Sequence, residues 1–200
     1  LTARIVGSVA CEGCDPGKYK VSSDDGENSS CVDCAPGMFT DSRNQASCTL
    51  CERGRFAPGN GTALRCSLCP RGKHGISPAA TSAESGCQDC SAGTYSDIDG
   101  IPFAENCTDC VPGFWSNTPG INKESLCKSC EAGRYSTMAR AIAKRYCTSC
   151  ASGRYSVDIA ASSNSTCKKC PSGFAQTLVG SVYCLSCQPG TVAPESESAS

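Results

Sequence analysis

The sequence predicts a small disulfide-rich repeat array, in which short β-hairpin and turn units stack into an elongated rod with little helix and a minimal hydrophobic core. Three observations predict this fold class. Only 28 of the 200 residues are Leu, Ile, Val or Phe, too few for a sizeable apolar core. The chain contains 20 cysteines, a proportion typical of scaffolds that covalent links hold in order. All of them fall in Cys-x-x-Cys pairs that recur about every 20 residues, which indicates a quasi-linear array.

The repeat is defined by more than its cysteines. The ten pairs begin at residues 11, 31, 48, 66, 87, 107, 127, 147, 167 and 184, and a glycine stands three residues after the second cysteine of every pair. Two residues further on, seven repeats have an aromatic residue: Tyr19, Phe39, Phe56, Tyr95, Trp115, Tyr135 and Tyr155. The unit therefore reads C-x-x-C-x-x-G-x-[YF]-[ST], followed by a variable polar stretch. We expect residues 1–10 to end a preceding repeat, residues 11–187 to form the tandem repeats, and residues 188–200 to begin a further one.

Each position of the unit has a predicted structural task. The glycine fits a turn that needs a positive φ angle. The aromatic residue opens a short extended segment and covers the neighbouring disulfide. The variable stretch, for example Ser22 to Ser30, predicts an exposed loop. One Ala- and Arg-rich segment, Ser136 to Tyr146, predicts a helical turn or two.

Cysteine usage predicts an extracellular or cell-surface location for a secreted chain, because disulfides do not persist against cytosolic thiols. Four N-x-[ST] sequons predict N-linked glycans, and O-linked sugars are a further expectation; the sequons begin at Asn28, Asn60, Asn106 and Asn164. No apolar run is long enough to cross a bilayer, so we expect no direct membrane insertion in this segment.

The charges nearly cancel, with 18 basic and 19 acidic residues. This balance gives no electrostatic reason to expect a nucleic-acid partner or an anionic membrane. The stretch from Arg134 to Lys169 is locally basic, and we expect a solvated surface there rather than a polyanion-binding face.

Runs such as Cys90-Ser91-Ala92-Gly93-Thr94-Tyr95-Ser96 resemble the cysteine-rich repeats known as ephrin-receptor-like or GCC2-GCC3 modules. They are also similar to the first loop of tumour-necrosis-factor-receptor cysteine-rich domains. The receptor resemblance implies that the second cysteine of each pair bonds to the first cysteine of the next pair: Cys14–Cys31, Cys34–Cys48, Cys51–Cys66, Cys69–Cys87, Cys90–Cys107, Cys110–Cys127, Cys130–Cys147, Cys150–Cys167 and Cys170–Cys184.

This pairing leaves Cys11 and Cys187 without partners. A rival pattern joins first to third and second to fourth cysteines, as in Cys11–Cys31 and Cys14–Cys34, and it leaves none free. Spacing alone does not decide between the two patterns.

We expect no enzymatic activity and no cofactor. Two Cys-x-x-Cys pairs at this spacing also fit a zinc tetrathiolate, and a single pair fits a redox motif, but neither requires the glycine-aromatic pattern. The only histidine, His74, occupies the aromatic position of its repeat, which predicts a packing role. The carboxylates Asp24, Asp25, Asp97 and Asp99 predict hydrated loops rather than a calcium site.

Two classes of function fit such an array. The first is an extracellular structural element: a spacer, stalk, coat or filament subunit whose partners are neighbouring repeats of the same or identical chains. The alternative is a ligand-binding receptor or adhesion ectodomain. A binder should concentrate irregular features in one or two repeats, whereas this chain is closer to monotonous, which favours the first class.

Overall fold

The computed structural model describes residues 13–22 and 29–191. Regular structure in these residues consists mostly of short strands: β1 (Lys18–Ser22), β2 (Ser29–Asp33), β3 (Met38–Phe39), β4 (Thr49–Leu50), β5 (Arg55–Phe56), β6 (Ser67–Leu68), β7 (Lys73–Gly75), β8 (Cys87–Asp89), β9 (Thr94–Tyr95), β10 (Thr108–Asp109), β11 (Phe114–Trp115), β12 (Lys128–Ser129), β13 (Arg134–Tyr135), β14 (Thr148–Ser149), β15 (Arg154–Tyr155), β16 (Lys168–Lys169), β17 (Phe174–Ala175) and β18 (Leu185–Ser186).

Helix is scarce in the same residues. A single α-helical turn, α1, spans Ala83–Gly86, and the other helical segments are 3₁₀ turns at Ala104–Asn106, Glu124–Leu126, Lys144–Tyr146 and Asn164–Thr166. None of the helices described has the length and apolar character needed to cross a membrane.

Each odd-numbered strand pairs antiparallel with the strand that follows it, so the described chain contains nine two-stranded sheets. The first strand of each hairpin follows the motif glycine, and the second lies in or beside the next Cys-x-x-Cys pair. In β13–β14, for example, Arg134 lies opposite Ser149 and Tyr135 lies opposite Thr148. The predicted array of short hairpins with little helix is confirmed.

The chain divides into two compact units. One contains the described residues up to Pro70 together with His74–Gln88 and Gly100–Phe103. The other contains Arg71–Lys73, Asp89–Asp99 and the described residues from Ala104 onwards. The same hairpin repeat builds both units.

Nine disulfides link the described cysteines, with Cα–Cα distances between 5.4 and 5.9 Å. Each joins the second cysteine of one pair to the first cysteine of the next, which is the set of partners that the receptor resemblance implies and not the rival pattern. Within the described part of the chain Cys187 is the free cysteine. Cys11 lies outside the described residues.

The buried core is divided among the repeats and consists largely of half-cystines. Phe39 packs on a cluster of Cys51, Ala57 and Cys66. A later cluster of Cys110, Ile121 and Cys127 is covered by Tyr95 and Phe114. The predicted minimal core, in which an aromatic ring covers the neighbouring disulfide, is thus present.

The segment Ser136 to Tyr146 contains less helix than its composition predicts. Only Lys144–Tyr146 forms a turn, and it is of the 3₁₀ type. Upstream, Arg140 has a φ of +58° and Ala141 forms a parallel bridge with Trp115. A left-handed residue ends any right-handed helix, so contacts with a neighbouring repeat override local propensity here.

Candidate functional site: the junction between repeats

The motif glycines form the fixed point of every repeat. All ten have positive φ angles, between 74° and 88°: Gly17, Gly37, Gly54, Gly72, Gly93, Gly113, Gly133, Gly153, Gly173 and Gly190. The predicted turn geometry is confirmed, because residues other than glycine rarely adopt this conformation.

The glycine also allows two backbones to approach closely. A Cβ atom added to Gly93 would lie 2.6 Å from the carbonyl oxygen of Arg140, two repeats later in the same unit. The same replacement at Gly133 would collide with the carbonyl of Gly180. From Gly17 to Gly133 the motif position therefore excludes side chains for a steric reason in addition to the conformational one.

At the seven motif glycines from Gly17 to Gly133, the residue that approaches the glycine stands seven positions after a motif glycine of its own. We call the residue at this position of a repeat the docking residue. It has a positive φ angle in every described repeat: Asn44, Gly61, Ala79, Gly100, Gly120, Arg140, Ala160 and Gly180. Its backbone N–H donates to the carbonyl of the second cysteine of the preceding repeat. Examples are Ala79 to Cys51 over 2.7 Å in the first unit, and Arg140 to Cys110 over 2.9 Å in the second.

The residue after the docking residue completes the contact with the motif aromatic. Ile121 forms a parallel bridge with Tyr95, and Ala141 forms one with Trp115. Both Ile121 and Ala141 are buried. In the first unit, Ile101 bridges His74 in the same way, so the histidine occupies the aromatic position, as predicted from its place in the repeat.

The serine of the motif is buried and makes hydrogen bonds to the loop that follows it. Ser96, Ser116, Ser136 and Ser156 are all buried. The Ser116 hydroxyl donates to the carbonyl of Thr118 and accepts from its N–H, which closes a tight turn. In the backbone, the carbonyl of Ser136 accepts from Gly113 over 2.9 Å, while its N–H donates to Ala161 over 2.9 Å. One serine thus joins the preceding and the following repeat.

Sequence reasoning recorded the serine position without assigning it a task, and it did not find the docking residue. The docking position is occupied by Asn, Gly, Ala and Arg in different repeats, which share a backbone angle rather than a side-chain type. The constant distance of seven residues from the glycine was a usable signal, although it lies inside the stretch that we interpreted as variable.

Exposed ion pairs join the two strands of some hairpins. Lys18 lies 2.9 Å from Asp33, and Lys73 lies 2.6 Å from Asp89. The hydrogen bond to Asp33, together with its negative charge, raises the pKa of Lys18. A hydrogen bond from Lys144 at 2.6 Å, together with its charge, lowers the pKa of Glu131. Burial raises the pKa of the Tyr95 phenol.

The sequon asparagines that the structure describes, Asn60, Asn106 and Asn164, are all exposed. Asn28 lies outside the described residues. Exposure is a requirement for attachment of a glycan, and glycosylation at all four positions stays a prediction.

The residues considered for chemistry are placed in structural roles. The half-cystines carry no thiolate that could ligate zinc. His74 is 8 % exposed, and its Nδ1 lies 3.2 Å from the carbonyl of Gly75. Asp99 accepts the backbone N–H of Arg71 over 3.0 Å and also lies near its guanidinium. Among the described residues no group of three or more His, Cys, Asp and Glu side chains could hold a metal ion; Asp24 and Asp25 lie outside them.

One open hollow of about 220 Å³ lies beside Phe39 and Arg55. Ligand pockets usually measure roughly 300 to 1,000 Å³ and enclose most of the ligand. The hollow is therefore smaller than an ordinary small-molecule site.

Residues 41–86 match a family model described as tyrosine-protein kinase ephrin type A/B receptor-like. No curated protein sequence is significantly similar to the chain. Cysteine-rich receptor-like repeats of this kind are typically non-enzymatic, and together with the many disulfides they indicate an extracellular domain. The matched segment and the run of disulfide-linked pairs around it support a cysteine-rich ephrin-receptor-like repeat.

Proposed function

We propose that the chain is a non-enzymatic extracellular structural element, disulfide-stapled and glycosylated, that acts as a spacer, stalk, coat or filament subunit. The observation that carries this proposal is the uniformity of the junction. Eight docking residues stand at the same distance from their glycines and have the same backbone conformation. A surface devoted to one ligand has no need for such uniformity, whereas an element that provides length does.

The junction also provides stiffness. Within each unit a repeat is joined to the next one by backbone hydrogen bonds, such as Ser136 to Ala161, and its glycine lies against the loop two repeats later. Each disulfide closes a segment of 14 to 18 residues. Bending therefore has to break several contacts at once, while the disulfides limit how far any repeat can extend.

Length measurement tests the proposal directly. The oxidised, glycosylated chain should give elongated particles in electron micrographs and a radius of gyration clearly above the roughly 16 Å of a 200-residue globule. A variant in which the 20-residue repeat 107–126 is duplicated should be longer by a fixed increment, and a second duplication should add the same increment. A globular radius, or duplication without lengthening, would overturn the proposal.

A receptor or adhesion ectodomain is the second candidate, and the family description favours keeping it. A ligand-binding chain should lose its function when one particular repeat is replaced. Replacing repeat 107–126, which carries Phe114 and Trp115, by a second copy of 127–146 preserves the length and the junction. Under the structural proposal this exchange leaves particle length and assembly unchanged, whereas a receptor would lose binding to its partner.

A further inference from the structure

The basic residues of the described chain are concentrated in its last part. Residues 127–191 contain eight basic and two acidic residues, whereas residues 13–22 and 29–126 contain nine basic and eleven acidic ones. Lys144 pairs with Glu131, one of the two acidic residues, over 2.6 Å. Residues 127–191 are therefore strongly cationic, although the net charge of the whole chain is −1.

Comparison of equivalent hairpins shows one place where a cation of this region lacks the acidic partner found elsewhere. In β1–β2, Lys18 lies opposite Asp33 and forms an ion pair with it, and the equivalent residues Lys73 and Asp89 are also paired. In β15–β16 the same two positions are occupied by Arg154 and Lys169. Like charges directly opposite each other destabilise a hairpin. A bound anion would remove that repulsion.

Five cations lie in or beside β13–β14 and β15–β16, and we call them the cationic surface: Arg134, Arg145, Arg154, Lys168 and Lys169. None of them takes part in the ion pairs found among the described residues. Lys168 and Lys169 are exposed. The charges of these two lysines are therefore available to a binding partner.

Two of the guanidinium groups are held in place. Arg134 donates from Nη1 to the carbonyl of Cys147 over 3.1 Å, and Arg154 donates from Nη1 to the carbonyl of Cys167 over 2.8 Å. They occupy the same position in consecutive repeats. Each keeps N–H groups beyond the one that is used, and a guanidinium presents these donors in a fork suited to two oxygens of one anion. The array thus offers fixed anion donors at regular intervals.

We propose that the cationic surface binds a sulfated polysaccharide. Arg134 and Arg154 would each engage a sulfate group through paired N–H donors. Lys169, directly opposite Arg154, would neutralise the sulfate there. Lys168, opposite Tyr155 and therefore on the other face of the hairpin, would contact sulfates of the polymer at that face. A polymer with repeated anionic groups matches donors that recur from one hairpin to the next. This inference does not depend on whether the chain is a structural element or a receptor.

The alternative polyanions are nucleic acid and an anionic membrane. A disulfide-linked chain that belongs outside the cell meets polysaccharides there. Four of the cations lie on short strands and Arg145 lies in a single 3₁₀ turn, so none is on a helix long enough to enter a groove or lie in a bilayer surface. These features favour the polysaccharide.

The test is affinity for immobilised heparin, measured with the oxidised chain at about 0.15 M salt, where contacts between distant exposed charges are largely screened. The wild-type chain should be retained. The double variant Lys168→Asp/Lys169→Asp should bind at least about tenfold more weakly, because it loses two charged contacts and gains repulsion. Lys20→Asp/Lys123→Asp changes the net charge equally at exposed sites outside the surface and should bind like wild type.

Two further measurements distinguish specific binding from general attraction. Arg154→Lys keeps the charge but loses the fork, so it should weaken heparin binding several-fold if sulfate is bound through paired donors. De-sulfated heparin, duplex DNA and phosphatidylserine vesicles should bind more weakly than heparin. Equal loss in the control double variant, or equal binding of DNA or vesicles, would overturn the proposal. Disulfide mapping and melting curves of each variant exclude misfolding as the cause.

Discussion

Each repeat has a constant half and a variable half, and the two are built differently. From the motif glycine to the docking residue the distance is always seven residues, whereas from the docking residue to the next cysteine it ranges from four, at Asn44, to eight, at Ala79. The constant half, together with the bridge residue that follows it, carries the contacts with other repeats described above. The comparison shows that contacts between repeats require a fixed number of residues, whereas closure of the disulfide loop does not.

The variable half absorbs its length differences as turns of helix. The repeat that ends at Cys48 has no helical turn, and the one that ends at Cys127 has the 3₁₀ turn Glu124–Leu126. Three residues make one 3₁₀ turn, which advances the chain by only about 6 Å, so the turn takes up three added residues in a short distance. The Cα–Cα distances of the two disulfides, 5.7 and 5.9 Å, agree with this explanation.

The disulfides are expected to dominate stability in both halves. Each closes a loop that is worth about 3 kcal/mol in the chain-entropy model, so the nine together exceed the net stability of an ordinary domain. Excess reductant should abolish the native circular dichroism, whereas heating without reductant should change it little. Persistence of the native spectrum after full reduction would show that packing alone holds the repeats.

Three-residue deletions in the two halves should have different effects on the free energy of unfolding. Removal of Glu124–Leu126 shortens a variable half to the length found before Cys48 and should cost no more than about 1 kcal/mol of unfolding free energy. Removal of 117–119 from the constant half displaces Gly120 and its hydrogen bond to Cys90. It should cost about 3 kcal/mol or more, because several junction hydrogen bonds are lost together. Denaturant titration compares the two deletions, and equal costs would contradict the distinction.

Two glycines with the same backbone conformation test the close approach. Gly93→Ala adds left-handed strain and a clash with the Arg140 carbonyl, with an expected cost of about 2–5 kcal/mol. At Gly173, φ is +83° and no described atom lies within 4 Å of an added Cβ. Gly173→Ala should cost only the strain of about 1–2 kcal/mol. Similar melting temperatures for the two variants would remove the steric role.

Replacing a docking residue that is not glycine by glycine should increase the stability of the chain. Ala160 has a φ of +54°, and relief of this strain by Ala160→Gly should stabilise the chain by about 1 kcal/mol after the entropy cost of glycine. The neighbouring Ala161→Gly is a matched control at a buried bridge residue and should destabilise by a similar amount. Thermal melts with the opposite signs would contradict the assignment of the docking position.

The smallest expected effect comes from the ion pair between Glu131, which precedes the motif glycine Gly133, and Lys144 of the variable half. Because the pKa of Glu131 is lowered in the folded state, its stabilising effect is present above the unfolded pKa and is lost as the pH falls through the folded pKa. Glu131→Gln should therefore reduce the acid dependence of the melting temperature slightly. An unchanged pH profile would show that the pair contributes nothing to stability.

The sequence predicts the hairpins, the glycine turns and the covering of disulfides because each depends on a residue type at a fixed offset. It does not predict the docking residue, because Asn44, Ala79 and Arg140 share a positive φ angle but have no side-chain type in common. The opposition of Arg154 and Lys169 also needs the strand register. The elongated rod stays a prediction, tested by the electron micrographs and the radius of gyration proposed above.

Peptide mapping by mass spectrometry, without and with reduction and before and after glycan removal, tests the central claim most directly. The account predicts linked peptides that join the second cysteine of each pair to the first of the next, such as Cys90 to Cys107, together with glycan-dependent mass at the sequons. Links between first and third cysteines, or 20 free thiols with bound zinc, would contradict the disulfide-stapled array.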